Sequence, residues 1–198
     1  MKNVLLLALA LFAATAFAQS PPPSMRLRGT IEKIDPASMV IKERNGETMT
    51  LAIADDLRVA EVMPVDPKTI QSGTYVGTAA IAGADGKLSA LEVLVFPEAM
   101  RGTGEGHSQW DLQPGSTMTN ATVSEVVPGA KGREMTLRYK DGEKTIIVPE
   151  GIPVVTLKPA DRSLLVPGAK VLVSAQVRNG TPTALRVTAG RNGFAPPM

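Results

Sequence analysis

The side chains best suited to chemistry lie together in a glycine-rich segment near the middle of the 198-residue chain. Glu105, His107 and Asp111 fall within one short stretch, and His107 is the only histidine in the sequence. A histidine beside carboxylates is typical of general acid–base catalysis and of metal binding. The same segment contains Arg101 and the only tryptophan, Trp110. Residues 97–116 are therefore the first place to look for a function.

A metal site is one interpretation of this segment. Zinc sites usually contain two or more histidines or cysteines, and the chain has one histidine and no cysteine. Thioethers bind Cu(I), so Met100 and Met118 near His107 are the remaining candidate ligands. Most methionines of the chain are far apart in sequence, which is typical of core packing. No cofactor is predicted; the metal site stays an alternative to a His107 that hydrogen-bonds within its own loop.

The glycines at 102, 104 and 106 resemble part of a phosphate-binding loop. Such a loop places its phosphate at the N-terminus of a following helix. Here the following residues, His107 to Gly115, include Pro114 and have no helical pattern. Nucleotide binding by this mechanism is excluded, and the glycines indicate an irregular turn.

Composition excludes further partner classes. Hydrophobic residues make up 43% of the chain, which is enough for a folded core, and charged residues make up 20%. The net charge is +2, without a basic run, and aromatic residues are only 4%. Nucleic acid, which needs basic surfaces and stacking side chains, is therefore not an expected partner.

The first 18 residues have the features of a secretory signal peptide. Lys2 supplies a basic start, residues 4–17 are almost entirely apolar, and Ala16 and Ala18 are small residues at the positions read by a signal peptidase. The apolar run is shorter than the roughly 20 residues that cross a bilayer. We expect cleavage after Ala18, a periplasmic mature chain and no later membrane span.

The mature chain has the two-residue alternation of β-strands and no long helical pattern. Residues 19–26 contain three consecutive prolines and are predicted to be a flexible leader. Asn45–Gly46 and Asp85–Gly86 are typical of hairpin turns between strands. Asp66 before Pro67 predicts one or two helical turns at that point. The sequence therefore predicts an all-β fold.

The second half of the chain repeats the order of the first. Residues 30–34 match 122–126, residues 89–93 match 183–187, and the turn at Asn45–Gly46 matches Asp141–Gly142. Closure into a small barrel would remove exposed strand edges. We predict two tandem barrels, OB-like or SH3-like, at residues 27–96 and 117–190. They would be joined by an ordered Gly-rich loop at 97–116 and followed by a tail at 191–198. A single β-sandwich formed by both halves is the alternative.

The run VFPEAMRGTGEGH at residues 95–107, followed by Trp110-Asp111-Leu112 and GSTMTNATV at 115–123, resembles a family of uncharacterised exported bacterial proteins. This family is a domain-of-unknown-function group with OB-like β domains. The resemblance covers most of the mature chain, and the central run is its most specific part. It implies a β fold and an exported location.

These observations favour an exported binding or accessory protein that is not an enzyme. Its partner, an unknown periplasmic protein or a small ligand, would bind at the loop between the repeats. Trp110 is expected to dock against a barrel because its large apolar surface favours burial. The predicted binding residues are Trp110 and the polar rim beside it, which is formed by Arg101, Glu105, His107 and Asp111. The alternatives are a copper or zinc accessory protein that uses His107 and, third, a hydrolase.

Overall fold

The computed structural model describes residues 24–130 and 132–197. The predicted signal peptide, residues 1–18, lies outside the described residues. About 62% of the residues are in strands and 5% in short helical turns, so the all-β prediction is confirmed. The strands are β1 Ser24–Ile34, β2 Ser38–Glu43, β3 Thr48–Pro64, β4 Tyr75–Ala82, β5 Leu88–Val95, β6 Gly106–Gln109, β7 Ser116–Gly129, β8 Gly132–Tyr139, β9 Gly142–Val148, β10 Val154–Ala160, β11 Lys170–Arg178 and β12 Thr181–Ala189.

Local sequence signals determine the turns between these strands. The hairpin β2–β3 turns at Asn45–Gly46, and β4–β5 turns at Asp85–Gly86, where the glycines adopt positive φ angles of 91° and 75°. The predicted helical turn is a single 3-10 turn, Pro67–Thr69, and the Asp66 side chain accepts a hydrogen bond from the Lys68 amide. A second 3-10 turn, Arg162–Leu164, begins in the same way, with Asp161 accepting from the Ser163 amide.

Five strands close into a barrel, which we call barrel 1. Its strands follow the order β12, β11, β1, β2, β3, and a parallel pairing of β12 with β3 completes the circuit. Apolar side chains alternate into its interior because successive residues of a strand face opposite sides of the sheet. The interior is filled by buried residues that include Leu27, Ile31, Met39, Ile41, Leu51, Val173 and Val187.

A second five-strand circuit, barrel 2, follows the order β5, β4, β7, β8, β9. It closes through a short parallel contact in which Leu88 and Ser89 of β5 pair with Ile146 and Ile147 of β9. Its interior is filled by a separate set of buried residues that includes Val76, Val93, Val123, Met135, Leu137 and Ile146.

Strand β10 joins the two barrels into one sheet. It pairs antiparallel with the end of β3 and parallel with the end of β5. A third apolar cluster lies at this seam and contains Val62, Leu94, Val155 and Leu172. Glu61 is also buried here, and both Lys158 and Arg191 lie within ion-pair distance of its carboxylate, at 3.3 and 3.0 Å. The seam thus fixes the two barrels against each other.

The pairing differs from the predicted barrel for each half of the sequence. Barrel 1 takes β1 to β3 from the first half and β11 and β12 from the second, and barrel 2 takes β4 and β5 from the first half and β7 to β9 from the second. Residues 27–96 and 117–190 therefore do not close separately. The reason is that β3 continues past Ile53 to Pro64 and pairs with β12 at Arg58–Glu61, which places the later strands β4 and β5 at the other barrel.

The structure also corrects the predictions for the two ends of the mature chain. The leader predicted at 19–26 is strand from Ser24 onward, because Met25 packs against the barrel 1 core while the backbone of Ser24–Thr30 pairs with β11. At the other end, Phe194 of the predicted tail packs against the seam cluster. Among residues 24–130 and 132–197, no helix has the length and apolar character needed to cross a membrane.

Candidate functional site

Residues 97–116, here called the linking segment, are more regular than predicted. A 3-10 turn forms at Glu98–Met100, and β6 pairs with the first half of β7 from Gly106–Asn120 to Gln109–Thr117. Glycine is required at position 104, where φ is +58° and a Cβ atom would lie 2.9 Å from Asn120 Nδ2. The segment is therefore an ordered part of the β structure.

Arg101 is held against barrel 2. Its guanidinium donates to both carboxylate oxygens of Glu98, at 2.6 and 2.7 Å, and to the Gly73 carbonyl at 3.0 Å. The same group lies 5.8 Å from the centre of the Tyr75 ring. These contacts occupy most of its donors, so Arg101 anchors the start of the linking segment.

Glu105 and His107 also face barrel 2. Glu105 accepts a hydrogen bond from the Lys140 amide at 3.1 Å. His107 Nδ1 lies 2.8 Å from Thr119 Oγ1, and burial together with the charge of Lys144 lowers the pKa of the imidazole. The lowered pKa favours a neutral histidine that hydrogen-bonds within the fold.

The candidate metal ligands are not brought together. His107 pairs with Thr119 and Ser108 with Met118, and because neighbouring residues of a strand face opposite sides, His107 and Met118 lie on opposite faces. Met100 lies in the preceding 3-10 turn. Within the described chain, no group of three His, Cys, Asp or Glu side chains could hold a metal ion.

Trp110 and Asp111 contact β1 of barrel 1. The Arg26 guanidinium lies 4.0 Å from the centre of the Trp110 ring, within the range of a cation–π contact. Asp111 forms ion pairs with Arg26 at 3.3 Å and with Arg28 at 2.7 Å. Burial raises the pKa of Asp111, but the hydrogen bond from Arg28 and the two arginine charges outweigh it and leave the pKa below its usual value.

The five predicted binding residues therefore form two groups. Arg101, Glu105 and His107 fasten the linking segment to barrel 2, while Trp110 and Asp111 fasten it to barrel 1. The polar rim around Trp110 consists of Arg26, Arg28 and Asp111, and Arg26 and Arg28 were not among the predicted residues.

An open cleft of about 630 Å³ adjoins Asp111 on the outer face of barrel 1. It is lined by strands from both halves of the sequence, and its charged residues are Arg26, Arg58, Arg178, Arg186, Asp56 and Asp111. We call it the arginine cleft. This cluster was not recognisable from the sequence, because its members lie as far apart as residues 26 and 186.

Three of these arginines form a row across four neighbouring strands. Arg26 is opposite Ser174, Ser174 is opposite Arg186, and Arg186 is opposite Arg58. Residues opposite each other in a sheet share a face, and adjacent strands are about 4.8 Å apart. The row therefore spans roughly 14 Å of the outer face of barrel 1.

The arginines of the cleft differ in their partners. Arg26 is paired with Asp111, and Arg178 lies 3.8 Å from Asp56. In the described parts of the chain, Arg58 and Arg186 have neither a hydrogen bond nor an ion pair from their side chains. Like charges directly opposite each other weaken a sheet, so these two exposed arginines contribute repulsion without a compensating partner.

The position of Trp110 gives a direct prediction for solution. As the single tryptophan, it should emit at shorter wavelength than a free peptide and be protected from acrylamide. Arg26→Gln removes the cation above the indole, so we expect greater quenching and a loss of about 1 kcal/mol in the free energy of unfolding. The exposed Arg44→Gln is the matched control and should change neither value. Equal quenching of wild type and Arg26→Gln would contradict the docked position.

Comparisons with protein-family models, with curated proteins and with solved structures found no match for this chain.

Proposed function

We propose that the protein is an exported, non-enzymatic binding protein whose ligand occupies the arginine cleft beside the linking segment. The observation that carries this proposal is the pair Arg58 and Arg186, two adjacent cations in a concave site to which the described residues supply no counter-ion. An anionic ligand would supply the missing charge. Export rests on the sequence of residues 1–18 alone.

The size of the cleft supports a small ligand or one group of a larger partner. Small-molecule sites are typically 300–1,000 Å³, and the cleft volume of about 630 Å³ lies within this range. Its four arginines and two aspartates give a net charge of +2 if all are ionised (four minus two). The volume therefore favours a small ligand, and the charge favours an anion.

The linking segment would take part in binding through Asp111. This carboxylate forms ion pairs with Arg26 and Arg28, and it lines the cleft together with Arg26. Within the linking segment, the proposed site is therefore limited to the last third, which contains Asp111. Arg101, Glu105 and His107 make structural contacts within the fold instead. No contact of His107 favours the metal-accessory or hydrolase alternatives.

As part of the same proposal, the two halves are copies of one OB-like unit that exchange strands. The circuit β1, β2, β3, β12, β11 in barrel 1 corresponds to β7, β8, β9, β5, β4 in barrel 2, and both circuits close through a parallel contact. The 3-10 turns with Asp66 and Asp161 caps occupy corresponding places. Val62 and Leu157, which correspond by the repeat spacing, pair with each other across β3 and β10.

A blocked cleft tests the binding proposal. Ser174 lies in the centre of the arginine row, so Ser174→Trp should fill the cleft without disturbing a core position. In a thermal-shift screen of small anionic and neutral compounds, we expect anions to stabilise wild type and to have little effect on Ser174→Trp. Thr50→Trp, at an exposed position of β3 outside the cleft, is the matched control. A screen without stabilising anions, or an equal response of Ser174→Trp, would reject the proposal.

A further inference from the structure

We propose that the group bound by Arg58 and Arg186 is a dianionic phosphate, as found in a phosphate monoester. This inference rests on the proposed function, because it specifies the ligand of the same cleft. It concerns only the chemical class of the ligand, and it follows from the register of β3 and β12 and from the distribution of the aspartates around them.

The two arginines are placed to act on one group. They are direct partners in the parallel pairing of β12 with β3, so their Cα atoms lie on adjacent strands about 4.8 Å apart and their side chains share the outer face. In the pairing of β12 with β11, a bulge at Leu185 precedes Arg186, and both Leu185 and Arg186 line the cleft. Bulges commonly redirect a side chain at a functional site. Two guanidinium groups can therefore converge on a single anion.

The carboxylates of the cleft do not neutralise this pair. Asp56 is within ion-pair distance of Arg178, and Asp111 binds Arg26 and Arg28. Each aspartate thus belongs to a flanking arginine at one side of the row. The positive charge that remains is concentrated at Arg58 and Arg186, and it amounts to two units at adjacent positions.

A dianionic phosphate fits this arrangement better than a carboxylate. It carries two negative charges and three terminal oxygens, so it can accept paired hydrogen bonds from two guanidinium forks. A carboxylate has one charge and two oxygens, which one arginine can satisfy. Ser174, next to Arg186 in the row, adds a hydroxyl donor of the kind that often accompanies phosphate contacts.

The flanking pairs indicate what the rest of the ligand would meet. Arg178 with Asp56 and Arg26 with Asp111 present both donors and acceptors at the two sides of the cleft. Such neutralised pairs suit hydroxyl groups, so a phosphorylated polyol or sugar is the expected form. The phosphate monoester could belong to a soluble molecule or to a lipid headgroup.

Calorimetric titration with glycerol 3-phosphate tests the assignment. We expect Arg58→Gln and Arg186→Gln each to weaken binding at least ten-fold and the double variant to weaken it further, since each removes charged hydrogen bonds. Arg44→Gln should bind like wild type. Without ligand, Arg186→Gln should be as stable as wild type or more stable, because it removes the repulsion from Arg58; this excludes misfolding as the cause of lost binding.

Two further comparisons test the charge of the bound group and the kind of molecule that carries it. Binding of glycerol 3-phosphate should weaken below about pH 6, where the second phosphate proton is bound. Glycerol phosphodiesters and malonate should bind at least ten-fold more weakly.

Vesicles that contain phosphatidic acid distinguish a lipid headgroup from a soluble molecule. Stronger binding to these vesicles than to phosphatidylglycerol vesicles assigns a lipid headgroup, and equal or no binding assigns a soluble monoester.

The results that overturn the inference are also distinct. Equal binding of the monoester by wild type and the double variant, or equal affinity for malonate, would reject a phosphate at Arg58 and Arg186. If glycerol 3-phosphate does not bind, while Ser174→Trp still prevents the binding of other anions, only the phosphate assignment is rejected. If Ser174→Trp responds to anions as wild type does, both the phosphate assignment and the binding function of the cleft are rejected.

Discussion

Residues 24–96, expressed without the rest of the chain, are expected to remain largely unfolded. The fragment contains three strands of barrel 1 and two of barrel 2, so neither core can close and most buried apolar surface would be exposed to water. Residues 116–197 should behave in the same way. Circular dichroism and the dispersion of amide signals in NMR spectra measure the loss of folded structure in each fragment, which we expect to be nearly complete.

Mixing the two fragments should restore the fold in a one-to-one complex. The matched control is the full chain with a protease site inserted after Gly102, an exposed turn residue of the linking segment. Cut after folding, this protein should keep its β spectrum and its two fragments should stay associated until denaturant is added. Cooperative unfolding of residues 24–96 alone would show that this half closes by itself and would contradict the strand exchange.

Glu92→Gln is expected to stabilise the protein increasingly as the pH rises from 5 to 9. Glu92 is 1% exposed, its Oε1 accepts from the Ala79 amide at 3.3 Å, and its Oε2 has no partner among the described residues. Burial raises the pKa of Glu92 to about 8, although the Ala79 hydrogen bond and the charge of Arg28 oppose this.

The sign of the pH dependence follows from proton linkage. The unfolded chain releases the Glu92 proton near pH 4.5 and the folded chain near pH 8. The stability contribution is thus complete below about pH 4.5 and is lost as the pH rises to 8, by at most about 1.4 kcal/mol for each pH unit. A glutamine does not titrate, so the stability difference between variant and wild type should grow through this range.

Urea unfolding at several pH values measures this effect. Glu61→Gln is a useful comparison, because Glu61 is similarly buried but has Lys158 and Arg191 as ionic partners. Removing its charge leaves two cations without their counter-ion, and the variant should lose stability. Parallel pH profiles for wild type and Glu92→Gln would show that Glu92 titrates normally in the fold.

Local features of the fold were predictable from the sequence, but the pairing of distant strands was not. Gly46 and Gly86 allow the hairpin turns, and the caps at Asp66 and Asp161 depend only on adjacent residues. Alternation predicts which residues face a core, but it contains no information on which distant strand completes the barrel. The pairing of β3 with β12 joins residues about 130 positions apart.

The candidate site was predictable only at Trp110 and Asp111, for a related reason. Their unusual types and the glycine-rich surroundings mark them in the sequence, and the contacts to β1 give them a role. Arg58 and Arg186 are ordinary exposed strand positions when considered singly. They become neighbours only because β12 pairs with β3.

The closing strand of barrel 1 also determines the order in which the chain can fold during synthesis. Barrel 2 has all five strands once Val148 has left the ribosome, but barrel 1 lacks its closing strand until β12, Thr181–Ala189, has emerged. Domains are usually completed from the N-terminus as translation proceeds. Here the first three strands to be made belong to the last barrel to close, and they remain accessible to chaperones for nearly the whole of translation.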